Sequence, residues 1–99
     1  MNKYGAMAER HWRRWLPSRV AAMDDPASFF SNLGEEVAAQ IADLAADLAG
    51  DDPPGETFME KAGRLNMARL RAEEMVLPET VLLPPEPEME EEADPATDG

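Results

Sequence analysis

The residues with the strongest chemical potential lie in one short run near the N-terminus, His11-Trp12-Arg13-Arg14-Trp15. Cations interleaved with aromatic rings occur in single-strand nucleic-acid binders, and Trp and Arg often dominate protein interfaces. So short a run leaves three uses open: pairing with the protein's own acidic surface, a hot spot for a protein partner, and contact with nucleic acid. The N-terminal part of the predicted partner-binding surface is Arg10, Trp12, Arg13, Arg14 and Trp15.

The inventory of side chains does not support nucleophilic catalysis, which needs a base beside the nucleophile and a group that orients the base. The chain has no cysteine and one histidine. Its serines, Ser18, Ser28 and Ser31, stand near predicted helix starts, where capping explains them. His11 follows the apolar side of a helical pattern, so we predict a packed or interface histidine. We therefore predict a protein that is not an enzyme and that uses no cofactor.

Carboxylates are abundant, but their spacing does not form a metal site or an acid–base pair. Neighbours such as Glu35 and Glu36 diverge by about 100° on a helix instead of converging on one site. Asp43 and Asp47 share a helix flank, which is the pattern of a solvated face. The sequence therefore predicts no dedicated metal site.

The uneven distribution of charge limits the partners that the chain can bind. The formal net charge is −12, although the first twenty residues are net basic. Most of such a surface repels phosphates, so we expect nucleic acid to be contacted only through the N-terminal helix. No apolar run is long enough for a signal peptide or a membrane span. We therefore predict no membrane partner and, with cysteine absent, a soluble cytoplasmic protein.

Four helices are predicted to position these residues. Pro17 ends the first helix and suits the start of the second, while Asp25 and Pro26 form an N-cap followed by a proline at the first helical position. Gly50 is a C-terminal cap, and the short linker after it predicts an antiparallel helical hairpin. The predicted helices span about residues 4–16, 18–23, 26–49 and 56–76.

The third helix carries the strongest apolar pattern of the chain, with large side chains three or four residues apart. Its stripe and the facing stripe of the fourth helix predict the core: Phe30, Leu33, Val37, Ile41, Leu44, Leu48, Phe58, Leu65 and Val76. Gly34 inside this helix predicts a close crossing by a neighbour. A line of alanines runs along the opposite side: Ala39, Ala42, Ala46 and Ala49. It is either a second packing face, or a solvent-facing side filled by alanine because alanine is the best helix former.

Proline and glutamate dominate the sequence after Val76, a composition typical of disorder. We predict a helical domain over residues 1–76 and an acidic, proline-rich tail over 77–99, with 88–99 free in solution. Apolar residues interrupt this tail, so 77–87 is either an extended docking segment or a piece packed on its own domain. In the docking interpretation they complete the predicted partner-binding surface: Leu77, Val81, Leu82 and Leu83.

The predicted fold is all-α, a small bundle of three to four helices built on a helical hairpin, with an extended or disordered acidic tail. A domain of this size is marginally stable alone, which favours association. The leading hypothesis is a non-enzymatic adaptor or accessory subunit that binds a protein partner or forms a homo-oligomer. Two alternatives stay open: an acidic nucleic-acid mimic that inhibits a DNA- or RNA-binding enzyme, and a regulator that contacts DNA through the basic first helix. The composition is typical of a bacterial or phage gene.

Overall fold

The structure is a computed structural model that describes residues 1–89. The chain is all-α, as predicted, and no strand occurs in the described part. Residues 87–89 add a helical turn, and the predicted free tail lies outside the described residues from position 90 onward. The four helices are α1 (Lys3–Trp15), α2 (Pro17–Ala21), α3 (Pro26–Ala49) and α4 (Phe58–Thr80).

The ends of α2 and α3 follow from local capping chemistry. Pro17 occupies the first turn of α2. The Asp25 side chain accepts a hydrogen bond from the Ser28 amide at 3.2 Å, and Pro26 occupies the first turn of α3. Gly50 ends α3 with a φ of 65°, in the left-handed region that glycine adopts without a steric cost. The predicted bounds of α3 are confirmed.

The end of α4 differs from the prediction, because this helix continues through Pro78 to Thr80. A proline inside a helix leaves the carbonyl four residues earlier without its donor. Here that carbonyl belongs to Glu74, and Glu74 and Pro78 are both exposed, so water can supply the missing bond. The start of α4 is fixed by a capping box between Thr57 and Glu60.

The central element of the bundle is α3, which packs against α1 on one side and against α4 on another. The closest approach joins Gly34 of α3 to Gly5 of α1. A Cβ atom on Gly34 would lie 2.7 Å from the Gly5 nitrogen and 2.9 Å from its Cα. The close crossing predicted from Gly34 is therefore confirmed.

The hydrophobic core lies where α1, the first half of α3 and the second half of α4 meet. Its centre is aromatic: the Trp12 and Phe30 rings pack edge to face with centroids 5.7 Å apart. We call this region, residues 1–41 and 69–86, the packed end. Its buried apolar residues are Tyr4, Ala8, Trp12, Leu16, Val20, Phe30, Val37, Ile41, Ala72, Val76 and Val81.

The segment after α4 returns to α1 and completes this core. Val81 is fully buried, and its carbonyl accepts a hydrogen bond from Trp12 Nε1 at 2.9 Å. His11 Nε2 lies 2.7 Å from the Leu83 carbonyl oxygen, and the Glu86 amide donates to the Trp15 carbonyl at 2.9 Å. Between the two interpretations of 77–87, the structure therefore supports packing on its own domain.

Three residues predicted for the core are exposed: Leu48, Leu65 and Phe58, the last of which is 83% exposed. Leu33 and Leu44 are only partly buried. The periodicity places Leu48, Leu65 and Phe58 on the facing sides of α3 and α4, but within residues 1–89 no third helix covers that end of the hairpin. We call residues 42–68, where α3 and α4 pack against each other and only Tyr4 of α1 lies beside them, the arm.

The arm makes the molecule long and flat, with principal extents of 54 × 39 × 17 Å. A search of the described residues finds no helix both long enough and apolar enough to cross a membrane. The two ends therefore present different surfaces, one with a closed aromatic core and one with an open hairpin.

Candidate protein-binding surface

A groove runs along the arm between α3 and α4, starting beside the N-terminus of α1. Tyr4, in the first turn of α1, closes one end of it. The volume is about 330 Å³. Its walls combine small side chains from α3 with larger ones from α4: Ala38, Ile41, Ala42, Ala45 and Ala46, then Leu65 and Arg69. Alanine walls allow another helix to approach closely.

Large apolar side chains of the arm extend beyond this groove into solvent. Phe58 and Met59, in the first turn of α4, are 83% and 77% exposed. Single exposed apolar residues are ordinary, but a set of them gathered on one element marks an interaction surface. The other large exposed residues of the arm are Leu48, Leu65 and Met67.

A network of charged hydrogen bonds braces the tip of the arm. The guanidinium of Arg64 donates to the Ala49 carbonyl at 2.6 Å, to Glu56 at 2.7 Å and to Asp52 at 2.7 Å. Lys61 donates to the second Asp52 oxygen at 2.7 Å. Arg64 therefore ties the last turn of α3 to the linker and to α4, and holds the two helices in register.

The same contacts shift the pKa values of the tip residues. The hydrogen bond to Glu56, reinforced by Asp52, raises the pKa of Arg64 further above its usual range. The Lys61 hydrogen bond is the largest cause that lowers the pKa of Asp52. The hydrogen bond from the Thr57 backbone lowers the pKa of Glu60. The shifts at Arg64 and Asp52 both favour the charged forms that make these hydrogen bonds.

The opposite end of the groove, beside α1, carries a second polar cluster. The Tyr4 hydroxyl donates to a Glu73 carboxylate oxygen at 2.9 Å, and Lys3 Nζ lies 3.6 Å from the same oxygen. The Tyr4 hydroxyl, and then the Glu73 charge, raise the pKa of Arg69. Lys3, Arg69 and Glu73 therefore form a charged cluster beside the first turn of α1.

The arginines predicted for partner binding are engaged within the N-terminal region itself. Arg13 pairs with Glu9 at 3.0 Å, and the Arg14 guanidinium lies over the Trp15 ring at 4.1 Å. Trp15 is partly buried and Arg10 is exposed. Of the three uses left open for the run at 11–15, these contacts match internal packing and pairing best.

Two residues of the predicted partner-binding surface are wrong, because Trp12 is 4% exposed and Val81 fully buried. Inside the core, the Trp12 indole N–H donates to the Val81 carbonyl, so both polar groups have a hydrogen-bond partner. Leu77 and Leu83 are partly buried, whereas Leu82 is exposed. Leu82, Leu70 and Leu77 line a shallow depression on the outer side of α4, which is the exposed remainder of the predicted docking segment.

Three of the four acidic residues of α3 lie on a flank of the hairpin that faces away from the groove, whereas Glu35 lies on the groove side, near α1. Glu36, Asp43 and Asp47 are exposed there, as expected of a solvated face. Within residues 1–89 no group of three or more His, Asp or Glu side chains is placed to hold a metal ion.

Two features of this surface were missed by reasoning from the sequence. The brace around Arg64 joins groups eight to fifteen positions apart, and the only available signal was a run of acids followed by a basic helix turn. The groove depends on where α1 begins relative to α3, which local patterns do not reveal. The alanine line pointed to this side of α3 only in part, since Ala42 and Ala46 line the groove.

Comparison of the chain with protein-family models, with curated proteins and with solved structures finds no match.

Proposed function

We propose that this protein is a non-enzymatic, cytoplasmic helical adaptor or accessory subunit that binds another protein surface through its arm. The observation that carries the proposal is the exposure of Phe58 and Met59, at 83% and 77%, on a braced helical hairpin. Burying side chains of this size against a partner is favourable by about 1.5–3 kcal/mol each.

The rigidity of the arm supports this function. Arg64 fixes the linker to both helices through Ala49, Asp52 and Glu56, so little conformational entropy is lost when a partner binds. Methionine side chains at the surface adapt to partners of different shape, and Met59 and Met67 are both exposed on the arm. The arm therefore combines a fixed backbone with adaptable contact residues.

The basic face of α1 is a weaker basis for function. Arg13 and Arg14 are engaged by Glu9 and by the Trp15 ring, and phosphate binding would have to compete with these contacts. A regulator that contacts DNA through α1 is therefore not the function that we propose.

A photoreactive phenylalanine analogue placed at Phe58 tests the proposal, with the same analogue at Arg10 as the matched control. Both positions are exposed, but Arg10 lies on α1, away from the arm. Irradiation in the cells that make the protein should give discrete protein adducts from position 58 and none from position 10. Adducts from position 10 alone, or from neither position, would contradict an arm that binds proteins.

A further inference from the structure

The groove lies on the same side of the α3–α4 hairpin as α1 and begins where α1 no longer covers it. Along the first half of α3, α1 lies against this side of the hairpin, with Gly5 at Gly34. Beyond Tyr4 the same side is open, from Ala38 to the end of α3 at Ala49. At 1.5 Å per residue this open length is about 16 Å, or three helical turns. Its shape therefore fits helices.

The walls of the open groove match the surface of the arm itself. On α4, Phe58, Ala62 and Leu65 follow one another at helical spacing on the side that lines the groove. On α3 the matching wall is alanine, and a large side chain opposite a small one lets two helical layers interdigitate. One arm thus has both the alanine wall of α3 and the large α4 side chains that could pack against such a wall.

Charged side chains lie near both ends of the groove. The end beside α1 has two cations, Lys3 and Arg69, and two acids, Glu73 and Glu35, and the Lys3 side chain is 58% exposed. At the tip, Asp51 is exposed and forms no ion pair with the described residues, next to Asp52, which is paired with Lys61. An antiparallel copy of the same arm would bring the exposed Asp51 of one chain to the exposed Lys3 of the other.

We propose that the groove is filled by the same arm of a second copy of this chain, so that two arms pack antiparallel as a four-helix bundle. This inference rests on the proposed function and names its partner. A two-fold axis brings the Asp51 end of each arm to the Lys3 end of the other, which makes the contact self-complementary. Asp43 and Asp47 stay on the far flank, in water.

Sedimentation of the full chain over a range of concentrations tests this pairing, with Ala42→Glu as the blocking variant. Ala42 is exposed and lines the groove, whereas Ala39 is exposed on the same helix outside it. Ala39→Glu therefore adds the same charge to α3 without touching the groove. Wild type and Ala39→Glu should dimerise alike, and Ala42→Glu should raise the dimer dissociation constant at least about tenfold.

Charge reversal provides a second measurement that does not alter the groove walls. Lys3→Glu and Asp51→Lys should each weaken the dimer, because each places like charges opposite one another. The double variant restores opposite charges and should recover most of the lost affinity. Additive weakening in the double variant would overturn the antiparallel arrangement.

The dimer and the proposed function fail in distinguishable ways. A wild-type chain that stays monomeric at high micromolar concentration, or an Ala42→Glu chain that dimerises like Ala39→Glu, overturns the dimer. Photochemical adducts from position 58 that contain only other proteins would agree with that result and leave the proposed function standing. Adducts of twice the chain mass support both.

Discussion

The packed end and the arm share the helices α3 and α4 but differ in what covers them. At the packed end, α1 and residues 81–86 close over the hairpin, and Trp12, Phe30 and Val81 are buried. In the arm, the described part of the chain gives these two helices no third neighbour beyond Tyr4, so Leu48, Leu65 and Phe58 stay exposed on the sides that face each other by periodicity.

This difference separates stability from association in one small protein. Buried apolar contacts at the packed end supply the folding free energy, since area removed from water is the main favourable term. The arm is held by the hydrogen bonds of Arg64 and by packing between α3 and α4. Its exposed apolar side chains remain available to a partner. Substitutions at the packed end should therefore change unfolding, whereas substitutions in the arm should change binding.

The largest expected change in stability is at Val81, and a matched substitution at the adjacent Leu82 should have little effect. Val81→Asp places a carboxylate in the core beside Trp12 and should cost about 3–5 kcal/mol, enough to unfold so small a domain. Leu82→Asp, at a position 41% exposed, should change stability by less than about 1 kcal/mol. Thermal unfolding followed by circular dichroism checks both. Equal tolerance of the two changes would mean that residues 81–86 are not part of the core.

Trp12→Phe is expected to have the next largest effect. It removes the indole donor, leaves the buried Val81 carbonyl without its hydrogen bond, and should cost about 1–3 kcal/mol. Trp15→Phe is the matched control, because the Trp15 ring is partly buried and stacks against Arg14. Urea unfolding should show a clear loss for the first variant and a small one for the second; the reverse order would contradict the assigned core.

Two of the helical glycines, Gly34 and Gly63, should respond to alanine with opposite signs. Gly34→Ala drives a methyl group to within 3 Å of Gly5 and should cost about 1–2 kcal/mol after the gain in helix propensity. Gly63, on the arm, has open space around its missing Cβ, so Gly63→Ala should stabilise by about 0.5–1 kcal/mol. Chemical denaturation of the two variants measures both changes, and a shared sign would contradict the difference between the regions.

The smallest expected effect is an acid-sensitive tip. Lys61 lowers the pKa of Asp52 below its unfolded value of about 3.9. A carboxylate with a depressed folded pKa contributes stability above its unfolded pKa and loses it as the pH falls through the folded value. Below about pH 4, the protection factors of the amides around residues 50–57, which correct for the intrinsic pH dependence of exchange, should therefore fall. Asp52→Asn should remove this dependence, and an unchanged pH profile in that variant would show that the brace does not hold the tip.

The sequence predicted the elements whose ends depend on nearby residues. Asp25, Pro26 and Gly50 bound α3 as expected, because capping and the left-handed glycine act within a few positions. We expected α4 to stop before Pro78, because a proline inside a helix removes a backbone hydrogen bond. In α4 the carbonyl that loses its donor is exposed, so water can bind it and the helix continues. Local chemistry thus predicted helix starts better than this helix end.

The features that the sequence did not predict depend on contacts between residues far apart in the chain. The stripe of α3 and α4 identified the facing sides correctly, but only the length of α1 decides that Val37 is buried and Leu48 is not. Val81 was assigned to a tail by its proline-rich surroundings, whereas its burial depends on Trp12, 69 positions away. The groove of the arm follows from the same mismatch in helix length, so it could not be found from local spacing.

Amide hydrogen exchange at low and at high micromolar concentration tests the division between the two regions most directly. The proposed pairing of arms predicts that protection of residues 42–49 and 58–68 rises with concentration, while protection of the packed end around Trp12 and Val37 does not change. Protection that is independent of concentration throughout the chain, or that rises only at the packed end, would contradict an arm built for association.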